Sequence, residues 1–197
     1  TSYGIGVRLY GNASVSGGNV TLDGRGGPGS GAFAHNYGVT VDNGASVTAS
    51  GTLSITGVGG GSGSTGGISP GVFIRNATIA GTGSGALTLT GTGGGKSGAG
   101  TGNYGIRIEN GATIRSASGS LTLVGTAGLN ASSEGIAIQG SGTNTLGAAS
   151  GQSGHITLRA NSLTAGTGNT NQVLGTGTLT IEPLSGSTSF DSGGFST

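Results

Sequence analysis

The feature that most constrains this chain is that it repeats. Gly6-Val7-Arg8-Leu9 returns as Gly38-Val39-Thr40-Val41, Gly71-Val72-Phe73-Ile74, Gly105-Ile106-Arg107-Ile108 and Gly135-Ile136-Ala137-Ile138. The units start near 6, 38, 71, 105 and 135, a period of 30 to 34 residues, which is the range of solenoids. A second segment follows in each of the first four units: Ala13-Ser14-Val15, Ala45-Ser46-Val47, Ala77-Thr78-Ile79 and Ala112-Thr113-Ile114. A third comes after it: Val20-Thr21-Leu22, Leu53-Ser54-Ile55, Leu87-Thr88-Leu89, Leu121-Thr122-Leu123 and Ile156-Thr157-Leu158, with Leu179-Thr180-Ile181 as a late member. All alternate apolar and polar with the period of a strand, and no stretch sustains the 3.6-residue period of a helix. Essentially no helix is expected.

Three short strands with one apolar face each cannot make a stable two-layer sheet alone. Wound into a triangular coil, they point those faces inward. The next coil then lands about 4.8 Å away, and equivalent strands pair in parallel and in register. The expected fold is therefore all-β: a parallel β-helix of about six coils, about three short strands per coil, forming one domain over 1–197 that is less regular from 140 to 197. Its interior columns are Val7, Val39, Val72, Ile106, Ile136; Leu9, Val41, Ile74, Ile108, Ile138; Val15, Val47, Ile79, Ile114; Val20, Leu53, Leu87, Leu121, Ile156; and Leu22, Ile55, Leu89, Leu123, Leu158. The second strand of the unit at 140–154 is poorly marked. Its threading, and that of the tail after Pro183, stays open.

Turn chemistry keeps the same register. Asn43-Gly44 and Asn110-Gly111 fall at one corner, with Asn76 in the unit between. Asparagine tolerates left-handed backbone and hydrogen-bonds locally, so Asn43, Asn76 and Asn110 read as a structural corner that can stack as a ladder. Long Gly-rich connections follow the third strands: Gly24 to Tyr37, Gly57 to Pro70, Gly91 to Tyr104 and Gly125 to Glu134. Connections of this length without structure are uncommon. Gathered at one corner, they are either tolerated insertions or a variable surface.

With 49 Gly and 3 Pro among 197 residues, composition without a period would signal low complexity. Charged residues are 7% and aromatic residues 4% of the chain, too little charge for ordinary disorder and too few rings for an aromatic core. A net charge of +1 gives no electrostatic case for nucleic acid or an anionic membrane surface. No apolar run approaches a membrane-spanning helix. Cysteine is absent, which removes disulfides and thiolate metal sites and suits a chain that crosses membranes unfolded. Starting at Thr1 with no visible signal peptide, the sequence reads as a mature protein or a piece of a longer one.

The acidic side chains are Asp23, Asp42, Glu109, Glu134, Glu182 and Asp191. Polysaccharide-cleaving β-helices need clustered carboxylates or a Lys/Arg set on one face. The outward stack Tyr10, Asp42, Arg75, Glu109, Gln139 puts Asp42, Arg75 and Glu109 in successive coils about 5 Å apart. Alternating sign suits an exposed charge stack that fixes register, each pair contributing a few tenths of a kcal/mol. A cleaving enzyme would instead need a groove with three or more charged groups, and no enzyme is expected. His35 and His155 lie in different elements, so no metal site or triad is expected, and no cofactor. Gly93-Gly94-Gly95-Lys96-Ser97 is loosely like a phosphate loop, but Thr90 stands six residues before Lys96 and no helix follows to supply a dipole. The third strands turn outward a hydroxyl column of Thr21, Ser54, Thr88, Thr122, Thr157 and Thr180, flanked by Thr52, Thr56 and Thr90. It is a candidate binding face for carbohydrate or ice, although threonine also simply favours exposed strand positions. Val124, His155, Arg159 and Glu182 interrupt it, which counts against ice.

The unit GNYGIRIENGATIRSASGSLTLVGT (Gly102 to Thr126) and the tail GTGTLTIEPLSGSTSF (Gly175 to Phe190) resemble the repeats of filamentous haemagglutinin-like large exoproteins, and the resemblance runs from about Gly6 to Phe190. It implies a right-handed parallel β-helix, secretion across the outer membrane through a partner pore, and a role in attachment or biofilm at the bacterial cell surface or outside the cell. It carries over no catalytic residue. The family's N-terminal secretion domain has no counterpart in this sequence, and the corner loops make the coil longer than in many members. The expected function is a structural or adhesive shaft that meets a host or neighbouring-cell surface, a glycan or matrix. The alternatives are a self-assembling filament subunit, copies joined end to end, and a carbohydrate- or ice-binding module using the threonine face.

Overall fold

The structure is a computed structural model that describes residues 4–31, 34–61, 63–64, 67–95, 102–129, 133–150, 152–166, 170–184, 189–191 and 195–196. Lys96 and Ser97 of the phosphate-loop-like stretch lie outside them. The alternating segments become strands, and strands from different units pair in parallel. The first sheet has seven strands in chain order: Val7–Tyr10, Val39–Asp42, Val72–Arg75, Ile106–Glu109, Ile136–Gln139, Ser162–Ala165 and Ser189–Asp191. The second also has seven: Ser14–Gly17, Ser46–Ala49, Thr78–Gly81, Thr113–Ser116, Thr143–Gly147, Thr170–Leu174 and Phe195–Ser196. The third has six: Val20–Arg25, Leu53–Val58, Leu87–Thr92, Leu121–Thr126, Ile156–Ala160 and Leu179–Pro183. The chain is thus an all-β parallel solenoid, and no helix occurs among the described residues.

The register is the one the repeats predict. Val39 lies beside Val7 and Val72, Ile106 beside Val72 and Ile136, and Leu89 beside Ile55 and Leu123. These columns form one buried core. Burying a Val, Leu or Ile side chain is worth about 1.5–3 kcal/mol, and a slip of one residue would turn the whole column to solvent, so burial itself holds the register. Val7, Leu9, Val15 and Leu22, in the first coil, are only partly buried, because a neighbour covers them on one side only.

The stretch left open by the sequence threads through the same pattern. Thr145 pairs with Thr113 and Leu146 with Ile114, so Leu146 extends the Val15, Val47, Ile79, Ile114 column and Val173 continues it. The next first-sheet strand, Ser162–Ala165, follows Ile156–Ala160 with only Asn161 between, and Leu163 joins the Ile136 column. No long Gly-rich loop intervenes at that turn.

Asn43, Asn76 and Asn110 adopt left-handed backbone, with φ of 57°, 45° and 57°, as their corner requires. The amide-to-amide contact forms elsewhere. Asn144 Nδ2 donates to Asn171 Oδ1 at 3.2 Å and to Gln139 O at 3.0 Å, and Asn171 Nδ2 donates to Gly166 O at 3.1 Å. Asn144 Oδ1 accepts from the backbone N–H of Gly111 and Ala112 at 3.1 and 3.2 Å.

The glycine-rich corner is built by close backbone approach. Gly24, Gly57, Gly91 and Gly125 occupy one register position at the end of the third strands. A Cβ there would press within 3.0 Å of the carbonyl of Gly38, Gly71, Gly105 or Gly135, the glycines that open the next first-sheet strand. The connections beyond are stacked like the strands. Gly26, Gly59 and Gly93 donate to the carbonyls of Val58, Thr92 and Thr126, all at 2.8 Å, and Gly60, Gly94 and Gly128 to those of Asn36, Ser69 and Asn103 at 2.7–2.8 Å. Short parallel pairs, Ala34–His35 with Gly67–Ile68 and Ser30–Gly31 with Gly63–Ser64, continue the pattern. The described parts of these loops therefore pair their backbone groups as a sheet does.

Candidate functional site

In the first sheet, residues flanking the inward Val and Ile must point outward. They form two columns: Arg8, Thr40, Phe73, Arg107, Ala137, and Tyr10, Asp42, Arg75, Glu109, Gln139. The returning loops bring His35, Tyr37 and Ile68 against these columns, and together with Ile5 they enclose a groove of about 360 Å³ over the sheet. Arg8, Thr40, Asp42, Phe73, Arg75, Arg107 and Glu109 also line it.

The loops change the character of the expected charge stack. Asp42 and Glu109 are not solvated surface groups; they are only 4% and 6% exposed. Thr40 and Phe73 beside them are buried as well. The physical reason is the corner loop, which lies over this face of the sheet: the Tyr37 ring packs on Phe73 with centroids 5.4 Å apart, and its hydroxyl meets His35 Nδ1 at 3.1 Å. Pairing also departs from simple alternation. Arg75 holds Asp42 through two parallel bonds, Nε to Oδ1 at 2.8 Å and Nη2 to Oδ2 at 2.6 Å. Glu109 instead takes Arg107 Nη2 at 2.7 Å, from a residue on its own strand. With its amide oxygen turned toward Arg107, Gln139 accepts from Nε at 3.0 Å and Nη2 at 3.3 Å. The Arg107 guanidinium also lies 5.4 Å from the Phe73 ring centre and 5.2 Å from that of Tyr104.

The electrostatics follow from these contacts. The hydrogen bond to Asp42 holds Arg75 still more firmly in its charged form, against the opposing effect of burial, with Asp42 and Glu109 adding Coulombic support. Glu134, near Arg107, is pushed above the ordinary carboxyl range by burial, partly offset by its own backbone hydrogen bond and by Arg107.

Arg8 differs from the other two arginines. It meets no carboxylate among the described residues; its guanidinium lies 4.6 Å from the ring centre of Tyr10, which is 51% exposed. The groove therefore holds five charged groups, Arg8, Asp42, Arg75, Arg107 and Glu109, more than the stack alone would supply. Both carboxylates that line the groove accept from a guanidinium, Asp42 from Arg75 and Glu109 from Arg107.

The hydroxyl column stands on a different face. Thr21, Ser54, Thr88, Thr122, Thr157 and Thr180 are in register along the third sheet. Asp23, Thr56, Thr90, Val124, Arg159 and Glu182 form the column beside it, where Arg159 and Glu182 pair at 2.7 Å. Thr52 donates its N–H and its hydroxyl to Asn19 Oδ1, at 2.8 and 3.1 Å. His155 is exposed and accepts from the Thr178 N–H at 3.3 Å, on a face remote in register from His35. Among the described residues no three His, Cys, Asp or Glu side chains are grouped to hold a metal ion.

Sequence reasoning named Asp42, Arg75 and Glu109 and missed Arg8, His35, Tyr37, Phe73 and Arg107 as their company. Arg8, Phe73 and Arg107 were visible at one tetrad position; what hid the groove was the path of the loop. No protein-family model matches the chain, and no curated protein or solved structure matches it.

Proposed function

We propose that this chain is a structural and adhesive segment of a secreted bacterial cell-surface protein, an extended shaft whose side is also an attachment surface for a glycan or matrix on a host or neighbouring cell. The coil is taken as right-handed, the hand that parallel crossover connections almost always take, and as about six turns long with its Gly-rich loops at one corner. The observation that carries the reading is that the corner loops stack in register together with the strands. A chain built this way lengthens by adding units and carries a continuous lateral surface along its strands and corner. The resemblance of its repeat units to those of large exoproteins supports the same role, binding rather than catalysis, outside the cell. Beads coated with the folded chain should adhere to cell surfaces more than beads coated with the heat-unfolded chain. Equal adhesion would contradict the attachment role.

A second reading, end-to-end assembly, has its own support. In the strand Leu179–Pro183, at the margin of the third sheet, Leu179 and Ile181 are each 37% exposed, and an open strand edge templates further pairing. Sedimentation velocity should then show species that grow with concentration and that Ile181→Lys suppresses. A monomer at all concentrations would retire this reading.

A further inference from the structure

We infer that the groove over the first sheet is a binding site for an acidic saccharide, a sugar ring bearing one carboxylate, with Arg8 as the carboxylate-binding residue. The inference rests on the attachment reading and names the chemistry that the surface would recognise. Three guanidiniums, those of Arg8, Arg75 and Arg107, face two carboxylates, Asp42 and Glu109. Asp42 uses both its oxygens on Arg75, and Glu109 is taken by Arg107. Arg8 alone of the three is left without an acidic partner among the described residues, exposed beside the Tyr10 ring. A planar guanidinium binds a carboxylate through two parallel hydrogen bonds, and it does so best where aromatic contact has already fixed its orientation.

The rest of the groove suits the remainder of such a ligand. The Asp42–Arg75 and Arg107–Glu109 pairs put acceptors and donors side by side, which is what neighbouring ring hydroxyls require. The pairs hold each other in place before a ligand arrives, so little side-chain freedom is lost on binding. Tyr37 and Phe73, packed together on the groove lining, add aromatic surface beside these polar groups. The volume, about 360 Å³, lies in the range of small-molecule sites, roughly 300–1,000 Å³. The charge balance also selects against more strongly charged ligands. A surplus of one positive charge matches one carboxylate, whereas a densely sulfated or phosphorylated chain would bring further anions against Asp42 and Glu109.

The test uses the full chain and titration calorimetry with three probes: the methyl glycoside of galacturonic acid, which carries a single carboxylate, its methyl ester and a heparin-derived hexasaccharide. The acid should bind, the ester at least tenfold more weakly, and the heparin fragment more weakly than the acid. Arg8→Ala should lower affinity for the acid at least tenfold with an unchanged unfolding midpoint, because Arg8 is exposed and anchors no carboxylate of the fold. Thr88→Ala, on the third sheet, should leave affinity unchanged. Equal binding of acid and ester, tighter binding of the heparin fragment, full affinity in Arg8→Ala, or loss of affinity in Thr88→Ala would each overturn the assignment. No binding of the acid while coated beads still adhere to cells would overturn the groove and leave the attachment role standing. Saccharide binding without bead adhesion would do the reverse.

Discussion

A methyl group added at Gly91 would press on the carbonyl of Gly105 and on the side chain of Ile106, two rigid parts of the corner. Gly91→Ala should therefore cost about 1–3 kcal/mol, the usual penalty of overpacking, read as a fall in the urea midpoint. Gly18 has open space where its Cβ would stand, so Gly18→Ala should be neutral or stabilising by up to about 1 kcal/mol through the unfolded chain. Both glycines look alike in the sequence; only the position of the next coil separates them. Glu134 gives a second residue-scale prediction. Burial raises its carboxyl above the ordinary value of 4.5, so the folded state binds the proton more tightly than the unfolded state. The stabilisation from that proton is complete below pH 4.5 and is lost as pH rises through the raised value. Glu134→Gln escapes this loss. The stability of Glu134→Gln relative to the parent should therefore increase from pH 4 to pH 7 in urea titrations, and a constant difference would contradict the assignment.

At the scale of the strand, most of the fold was legible. Val and Ile at alternating positions, returning at a near-constant interval, fix which residues face inward and which strands must be neighbours. The segment Thr143–Gly147 escaped because its sequence breaks the pattern at one place. The position filled by Ala13, Ala45, Ala77 and Ala112 in earlier units is held there by Asn144. A buried polar residue looks wrong on an inward face until its partner is known, and that partner is Asn171 in the following coil. Asn144 also accepts from two backbone N–H groups of the preceding coil. Asn144→Ala leaves those groups short of a partner and removes one hydrogen bond to Asn171, and it should cost about 1–3 kcal/mol. The double change with Asn171→Ala should cost less than the sum of the singles. Additive losses in denaturant midpoints would show that the two amides do not act together.

Across the whole molecule, the groove was the part least open to sequence reading. Its floor, the outward columns of the first sheet, follows from strand alternation. Its roof does not, because glycine-rich connections carry no periodic signal, and nothing in the sequence says that His35, Tyr37 and Ile68 fold back over Phe73 and Asp42. Burial of the acidic groups could not be read for the same reason. All of these features depend on one arrangement, equivalent strands of successive units lying side by side in register. Disulfide trapping tests it most directly, because the chain has no cysteine of its own and an introduced pair reports alone. Thr88 lies beside Thr122 on the outer face of the third sheet, and Val124 lies beside Thr90. A disulfide needs Cα atoms less than about 7 Å apart, which neighbours at about 4.8 Å satisfy and partners offset by two residues, roughly 8 Å apart, do not. The account predicts rapid, near-complete oxidation of Thr88→Cys with Thr122→Cys and none of Thr88→Cys with Val124→Cys. Cross-linking of the offset pair, or of neither pair, would contradict it.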